Sequence, residues 1–360
     1  MRTLAIAAIV SSLSRASAWS QANHSATPAF SATPIVDMGT DSARPKSSAN
    51  YKGFQGGLYE NASNHVPNDH DAMGRKFAAQ VAPIDGKIVL LSIGMSNAMD
   101  EWGIFLRTYG KDPRVNPAVV IVNGAQGGIG PCAWSVPSGS PHDTCGGHAP
   151  NPFEVVKNTR LARAGVTEAQ VQAVWIKETD AMSIQMPWPP SLPDPKADAY
   201  VYEGWIGKML RAAKQRYPNV KLAFISSRIY GGYDQTSKSH EPYAYENGFS
   251  VKWAIQAQIK QADRGGSSDP ITGDLSYSVA PWAAWGPYLW ADADIPRSDG
   301  LVWCNGQPSP PCNGATDFAS DALHPNVAGQ TKVAKILVDF FLTSPYTQWF
   351  KAQSGHPRSH

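Results

Sequence analysis

Charge is what this 360-residue chain has least of: Asp, Glu, Lys and Arg make up only 17% of it, with 31 basic side chains against 29 acidic ones. A formal net charge of +2 lacks the clustered positive charge that nucleic acid and anionic membrane surfaces reward, so neither is an expected partner. Long apolar runs are missing too. Beyond the N-terminus no stretch approaches the roughly 18–20 apolar residues needed to cross a bilayer. Cysteine is sparse, with four residues, Cys132, Cys145, Cys304 and Cys312. They fall pairwise in two loop-like stretches, and of the possible pairings the local ones, 132–145 and 304–312, cost least loop entropy.

What is plentiful is glycine (31), proline (29) and tryptophan (12), a composition of many loops and many large flat side chains. The first residues read as an export leader: Arg2, an apolar run from Leu4 to Val10, and Ala16-Ser17-Ala18 as a small-x-small cleavage site. Cleavage after Ala18 would remove Arg2 and Arg15 and bring the two signs of charge level. A secreted or periplasmic protein is therefore expected, with no membrane contact after cleavage. Even cysteine usage in an exported chain favours two disulfides. The competing reading is metal binding, because His142-x-x-Cys145-x-x-His148 has ligand-like spacing. Asn23-x-Ser25 and Asn61-x-Ser63 are glycosylation sequons, relevant only in a pathway that modifies asparagine.

Residues 19–50 are rich in Ser, Ala, Thr and Pro without apolar periodicity, and read as a disordered arm. A single folded domain is expected over 51–350, with a tail over 351–360. Gly53 to Pro67 reads as loop. Four short apolar runs follow, Ile88–Ile93, Ala118–Val122, Val171–Ile176 and Leu222–Ile225, interrupted only by Ser92 and Gln172. Such β-branched runs without strict alternation suit strands buried on both faces. Between and after them lie helical periods: Val201, Trp205, Met209 and Ala213; Val251, Ile255 and Ile259; Val333, Ile336, Leu337, Phe340 and Phe341. The alternation predicts an α/β fold, a parallel sheet with helices on both sides. No fifth strand is placed in the loop-rich, Trp-rich segment 262–320.

Ligands of such sheets bind beyond the carboxyl ends of the strands. After the first run stands Gly94-Met95-Ser96-Asn97; after the second, Asn123-Gly124-Ala125-Gln126-Gly127-Gly128; after the third, Lys177-Glu178-Thr179-Asp180. Just before the last helix comes Asp321-Ala322-Leu323-His324-Pro325-Asn326. A serine nucleophile needs a base, usually histidine, oriented by a carboxylate. Asp321 and His324, three apart, can be presented together by one short loop. Taken singly, Ser96 reads as a helix cap, Asp321-x-x-His324 as a cap of the last helix and Gly127-Gly128 as a tight turn. Their joint placement at strand ends is what points to catalysis.

In these blocks the chain resembles the SGNH (GDSL-like) hydrolases: Gly94-x-Ser96 looks like block I, the Asn123…Gly128 turn like block II, and Asp321-x-x-His324-Pro325-Asn326 like block V. The resemblance spans about Ile88 to Phe341. It implies a three-layer α/β/α sandwich around a parallel sheet, of flavodoxin-like type, and hydrolysis of esters, often acetyl esters of sugars. By position it implies Ser96 as nucleophile, His324 as general base and acid, Asp321 as its orienting carboxylate, and the N–H groups of Ser96 and Gly128 as oxyanion donors. Two blocks depart from the family pattern. Met95 replaces the usual Asp, which looks closer to the Gly-Gln-Ser-Asn turn of the carbohydrate acetylesterase branch. The third block, Trp175-Ile176-Lys177-Glu178-Thr179-Asp180, is one residue short and lacks the Asn or Gln amide. Lys177 either donates to the oxyanion as a cation or pairs with Glu178 or Asp180. An α/β-hydrolase is set aside, since its nucleophile turn is Gly-x-Ser-x-Gly.

Trp188, Trp282, Trp285, Trp290 and Trp303, with Tyr230, Tyr233, Tyr243 and Tyr245, fall in loop-like stretches. Aromatic faces stack on pyranose rings, so Trp282, Trp285 and Trp290, with Asn97 beside the nucleophile, are the expected substrate contacts. The expected protein is an exported serine esterase that frees acetyl or another small acyl group from a carbohydrate, with no metal or organic cofactor. Its rivals are a carbohydrate-binding protein on a catalytically weakened scaffold of the same kind and a metal-dependent hydrolase using His142 and His148.

Overall fold

The computed structural model describes residues 30–41, 50–140, 145, 150–180, 188–234, 240–263 and 265–352. Five parallel strands form the central sheet: β1 (Ile88–Gly94), β2 (Val119–Val122), β3 (Val171–Lys177), β4 (Leu222–Ile225) and β5 (Trp282–Trp285). Their spatial order is β2-β1-β3-β4-β5, a flavodoxin-like, doubly wound arrangement. Every residue of β1 and β3 is buried, which explains why their sequences are continuous apolar runs instead of alternating ones. The long helices are α1 (Asn68–Ala78), α2 (Ser96–Tyr109), α3 (Asp198–Arg216), α4 (Tyr243–Asp263) and α5 (Val327–Thr343).

Helices on both faces complete a three-layer sandwich. On one face α2 and α5 pack together, and Trp102 of α2 stacks on Trp175 of β3 with ring centroids 4.9 Å apart, while Phe341 of α5 meets both Trp102 and Phe224 edge-on. In the other layer α3 and α4 pack against one another.

The fifth strand is Trp282-Ala283-Ala284-Trp285, all four residues buried. It escapes a reading of the sequence because it is only four residues long, has no β-branched side chain and sits between Pro281 and Gly286 in a proline-rich segment. The arm expected over 19–50 is corrected over its described part. Residues 30–41 lie on the domain, with Ile35 and Met38 in the core, the Ile35 N–H donating to the Tyr288 hydroxyl and the Ser298 N–H to the Asp37 carboxylate. Two apolar anchors in a polar stretch suffice for docking but are too few to show a period. The leader at 1–18 lies outside the described residues.

Both local disulfides are formed, Cys132–Cys145 and Cys304–Cys312. Cys145 is therefore no thiolate ligand; His142 and His148 lie outside the described residues, among which no cluster of metal-ligating side chains occurs. Among the described residues no helix is long and apolar enough to cross a membrane.

His70 on α1 shows how β5 is held. Its ring stacks on Trp282 at 4.8 Å, its Nε2 donates to the Ala283 carbonyl, and the Trp282 indole donates back to the His70 carbonyl. Burial pulls the imidazole pKa from 6.5 down to about 4. Between those two values the unfolded chain binds a proton that the folded chain refuses, so stability falls as pH drops through that window. The loss attributable to this group reaches roughly 3 kcal/mol in acid. Urea midpoints from pH 7 to 4 should therefore fall more steeply for the native chain than for His70→Gln; parallel curves would contradict this account.

Candidate active site

The turn that carries Ser96 begins where β1 ends. Gly94 pairs with Lys177 across the sheet, and a Cβ at Gly94 would lie 2.2 Å from the Lys177 carbonyl oxygen and 2.6 Å from the Ala98 side chain. Only glycine allows α2 to start this close to β3. Met95 is extended and Ser96 is the first residue of α2. The turn after β2 is tied to this one: the Gln126 N–H donates to the Gly94 carbonyl (2.9 Å), and the Asn123 amide donates to the Met99 carbonyl (2.7 Å) while accepting from the Ser92 hydroxyl (3.1 Å).

The histidine loop is a tight hairpin in front of α5. The Ala319 N–H donates to the His324 carbonyl, and the Asn326 N–H to the Asp317 carbonyl, each at 2.8 Å. Asn326 then caps α5, its side chain accepting from the Ala328 and Gly329 N–H groups, as Asn does at a helix start. Between these anchors the chain reverses through Ala322 at φ 55°. Asp321 Oδ1 accepts the N–H groups of Leu323 (3.1 Å) and His324 (3.0 Å), which holds the loop closed from within.

Three side chains meet across the two turns. His324 Nε2 lies 2.8 Å from Ser96 Oγ, and His324 Nδ1 lies 2.6 Å from Asp321 Oδ2. Burial opposes ionisation of Asp321, but the bonds from His324 and the two backbone N–H groups hold its carboxyl below the usual range. A carboxylate can only accept, so Nδ1 carries the proton and the Nε2 lone pair faces the serine hydroxyl. That is the tautomer a general base requires. The His324 side chain is 32% exposed and Asp321 44%, so the pair opens to solvent.

Gly128 adopts φ 75° in an exposed turn with open space around its Cα. The Ser96 N–H belongs to the first turn of α2, whose donors the helix itself cannot use.

With this geometry established, comparison with known proteins adds little. No family model matches the chain, and no curated protein matches it. A solved structure of a gut microbial diltiazem-metabolizing enzyme, BT4096, aligns at TM-score 0.34 and 10% identity, over 72% of this chain and 48% of that one. The chain thus spans about half the length of that protein. At that TM-score the likeness carries no argument. The site has to be read from its own atoms.

Those atoms correct several expectations. Lys177 does not reach Ser96: its ammonium is buried and bonded to both carboxylate oxygens of Glu101, with Oε2 at 2.6 Å. The partner is neither Glu178 nor Asp180. The reason is helical spacing, since Glu101 lies on the buried face of α2 beside Ala98, Trp102 and Phe105 and is itself fully buried. Burial pulls the lysine pKa down to about 8 and pushes the glutamate up, each against the attraction of the other.

Asn97 is buried and does not offer its amide to a ligand; Nδ2 donates to the Leu323 carbonyl (3.2 Å), in the middle of the histidine loop.

Trp282, Trp285 and Trp290 are all buried. Trp282 and Trp285 belong to β5, the Trp285 indole donating to the Leu58 carbonyl, and the Trp290 indole donates to Glu241. Tyr230, Tyr233, Tyr243, Tyr245 and Trp303 are buried as well, and Trp188, half-buried, packs on His240.

Sequence reading also missed Asp100, one turn after Ser96 on α2. Burial raises its carboxyl pKa, opposed by the nearby His324, Arg107 and Lys177. The i, i+4 spacing from Ser96 was its available signal.

Breaking one half of the buried ion pair leaves a charge stranded. Lys177→Met should cost about 3–5 kcal/mol, whereas Lys177→Met with Glu101→Leu should recover most of it. Urea unfolding of the single and double variants measures both; a double variant as unstable as the single one would deny the coupling.

Proposed function

We propose that this protein is a serine-dependent ester hydrolase of the SGNH kind, which removes acetyl or another small acyl group from a carbohydrate. The observation that carries the reading is the chain of two hydrogen bonds, Ser96 to His324 to Asp321, assembled from residues 228 positions apart. As helix caps alone, neither end would need the other.

In the proposed cycle His324 Nε2 takes the Ser96 proton as Oγ attacks the ester carbonyl. The tetrahedral oxyanion is held by the N–H groups of Ser96 and Gly128. His324 then protonates the leaving alcohol, and an acyl-enzyme remains. Water, deprotonated by the same nitrogen, releases the acid and restores Ser96. Asp321 stays ionised and keeps the ring oriented. Lys177 takes no part, because Glu101 holds it. The carbohydrate part of the reading rests on the likeness of Gly94-Met95-Ser96-Asn97 to the acetylesterase turn, now that the tryptophans belong to the core. Two disulfides suit an exported chain.

Labelling with a fluorophosphonate should modify Ser96, mapped by intact mass and peptide analysis, and labelling should vanish in His324→Ala. Ser96→Ala should lower ester hydrolysis by at least about 10⁴-fold. No labelling of folded protein would defeat the hydrolase reading and favour a carbohydrate-binding protein on this scaffold. Asn97→Ala should lower kcat roughly 5-fold, one neutral hydrogen bond's worth, with little change in KM, because it loosens the histidine loop. A rise in KM alone would make Asn97 a substrate contact after all.

A further inference from the structure

Among the described residues, one cation near this site forms no hydrogen bond. Arg228 follows Ser226 and Ser227 beyond the end of β4, and both serines are occupied as braces, accepting from the Trp175 indole and the Leu289 N–H. The Ser226 N–H donates to the Ile176 carbonyl, so the chain leaves the sheet level with Lys177 and, through it, with Gly94. β4 lies two strands from β1, about 10 Å away at the usual strand spacing. The Arg228 charge acts on Lys177, Glu101 and Glu178 at that same edge.

Arg228 is only 6% exposed. Its Nε is buried with no hydrogen-bond partner, and among the described residues it forms no ion pair. Native proteins rarely leave a buried guanidinium in this state.

The acids around it are otherwise engaged. Glu101 is neutralised by Lys177. Glu241 accepts from the Gly231 and Tyr245 N–H groups and the Trp290 indole. Glu178 is buried, one oxygen accepting from Thr179 N–H and the other, Oε2, without a partner, and burial drives its carboxyl strongly toward the protonated form. Burial pulls the guanidinium pKa down, and the carboxyls of Glu101, Asp234, Glu241 and Glu178 oppose that only through longer-range attraction.

A planar fork of donors is complementary to a carboxylate, which takes two N–H bonds from it. We propose that Arg228 is the recognition point for a carboxylate on the substrate, so that this site selects acyl esters of acidic sugars over those of neutral ones. This inference rests on the esterase reading for its location but not for its test.

The probes are the methyl glycosides of O-acetyl-glucuronate and O-acetyl-glucose, identical except for carboxylate or hydroxymethyl at C6. The native protein should favour the glucuronate ester in kcat/KM by about 10- to 100-fold, the range of a charged hydrogen bond. Arg228→Gln should abolish that preference, and Arg228→Lys, which keeps the charge without the fork, should retain part of it. Equal rates in the native protein, or a preference that survives in Arg228→Gln, would overturn the proposal. So would an equal fall in kcat on both esters with KM unchanged, which would place the guanidinium at the oxyanion instead.

Should neither ester be hydrolysed, ligand-observed NMR of Ser96→Ala with unacetylated methyl glucuronoside and methyl glucoside still decides. Binding of the acidic glycoside alone, lost in Ser96→Ala/Arg228→Gln, would uphold the carboxylate site while the esterase reading fails. No difference between the glycosides would end the proposal.

Discussion

The buried pair between Lys177 and Glu101 joins the last residue of β3 to the middle of α2, the helix whose first residue is Ser96. Both charges are almost fully removed from water, so neither can leave the other without a large penalty. Gly94 sits at the same point, letting the Lys177 carbonyl approach within the space a Cβ would occupy. Pair and glycine together fix where α2 starts and how it is rotated, and therefore where the serine hydroxyl stands. A lysine at the end of an apolar strand thus positions Ser96 from a distance, through the helix it anchors.

The other half of the site comes from the far end of the chain and needs its own support. A run of aromatic contacts leads from Tyr245 on α4 through Trp290, Tyr230 and Tyr233 to Phe318, three residues before Asp321. The Lys332 ammonium on α5 and the Cys304 N–H both bind Asp317, and Cys304 is itself cross-linked to Cys312. The loop carrying Asp321 and His324 is therefore built on a packed second core above the sheet. The tryptophans expected to meet substrate instead help hold His324 in front of Ser96, or form β5.

The difference shows where sequence is legible and where it is not. Strands β1 to β4 announce themselves because burial on both faces leaves a local signature in every residue. Ser96, Asp321 and His324 are legible because chemistry restricts them to few residue types at strand ends and short spacings. Trp282-Ala283-Ala284-Trp285 carries neither signal, since a short strand of alanine and tryptophan among prolines resembles a loop. Whether an aromatic faces a ligand or a core depends on what the surrounding loops do, and that is a tertiary property. Lys177 was ambiguous for the same reason: its partner Glu101 lies 76 residues away, beyond any local pattern. Asn97 is similar, its amide finding a carbonyl 226 residues on.

The scarcity of charge then acquires a structural meaning. In a chain with so few ionisable residues, an unusual share of them is buried at the carboxyl edge of the sheet, among them Glu101, Lys177, Glu178, Arg228 and Glu241. Burial there shifts their pKa values and makes every unpaired atom costly. Lys177 and Glu101 resolve that cost by pairing, and Glu241 by accepting three N–H donors. Arg228 has no such bond among the described residues, although it stands at the same edge as the Ser96 turn. Since the same low-dielectric surroundings that penalise an unmet guanidinium strengthen its attraction for an anion, the edge that carries Ser96, His324 and Asp321 is also where an anion would gain most from binding.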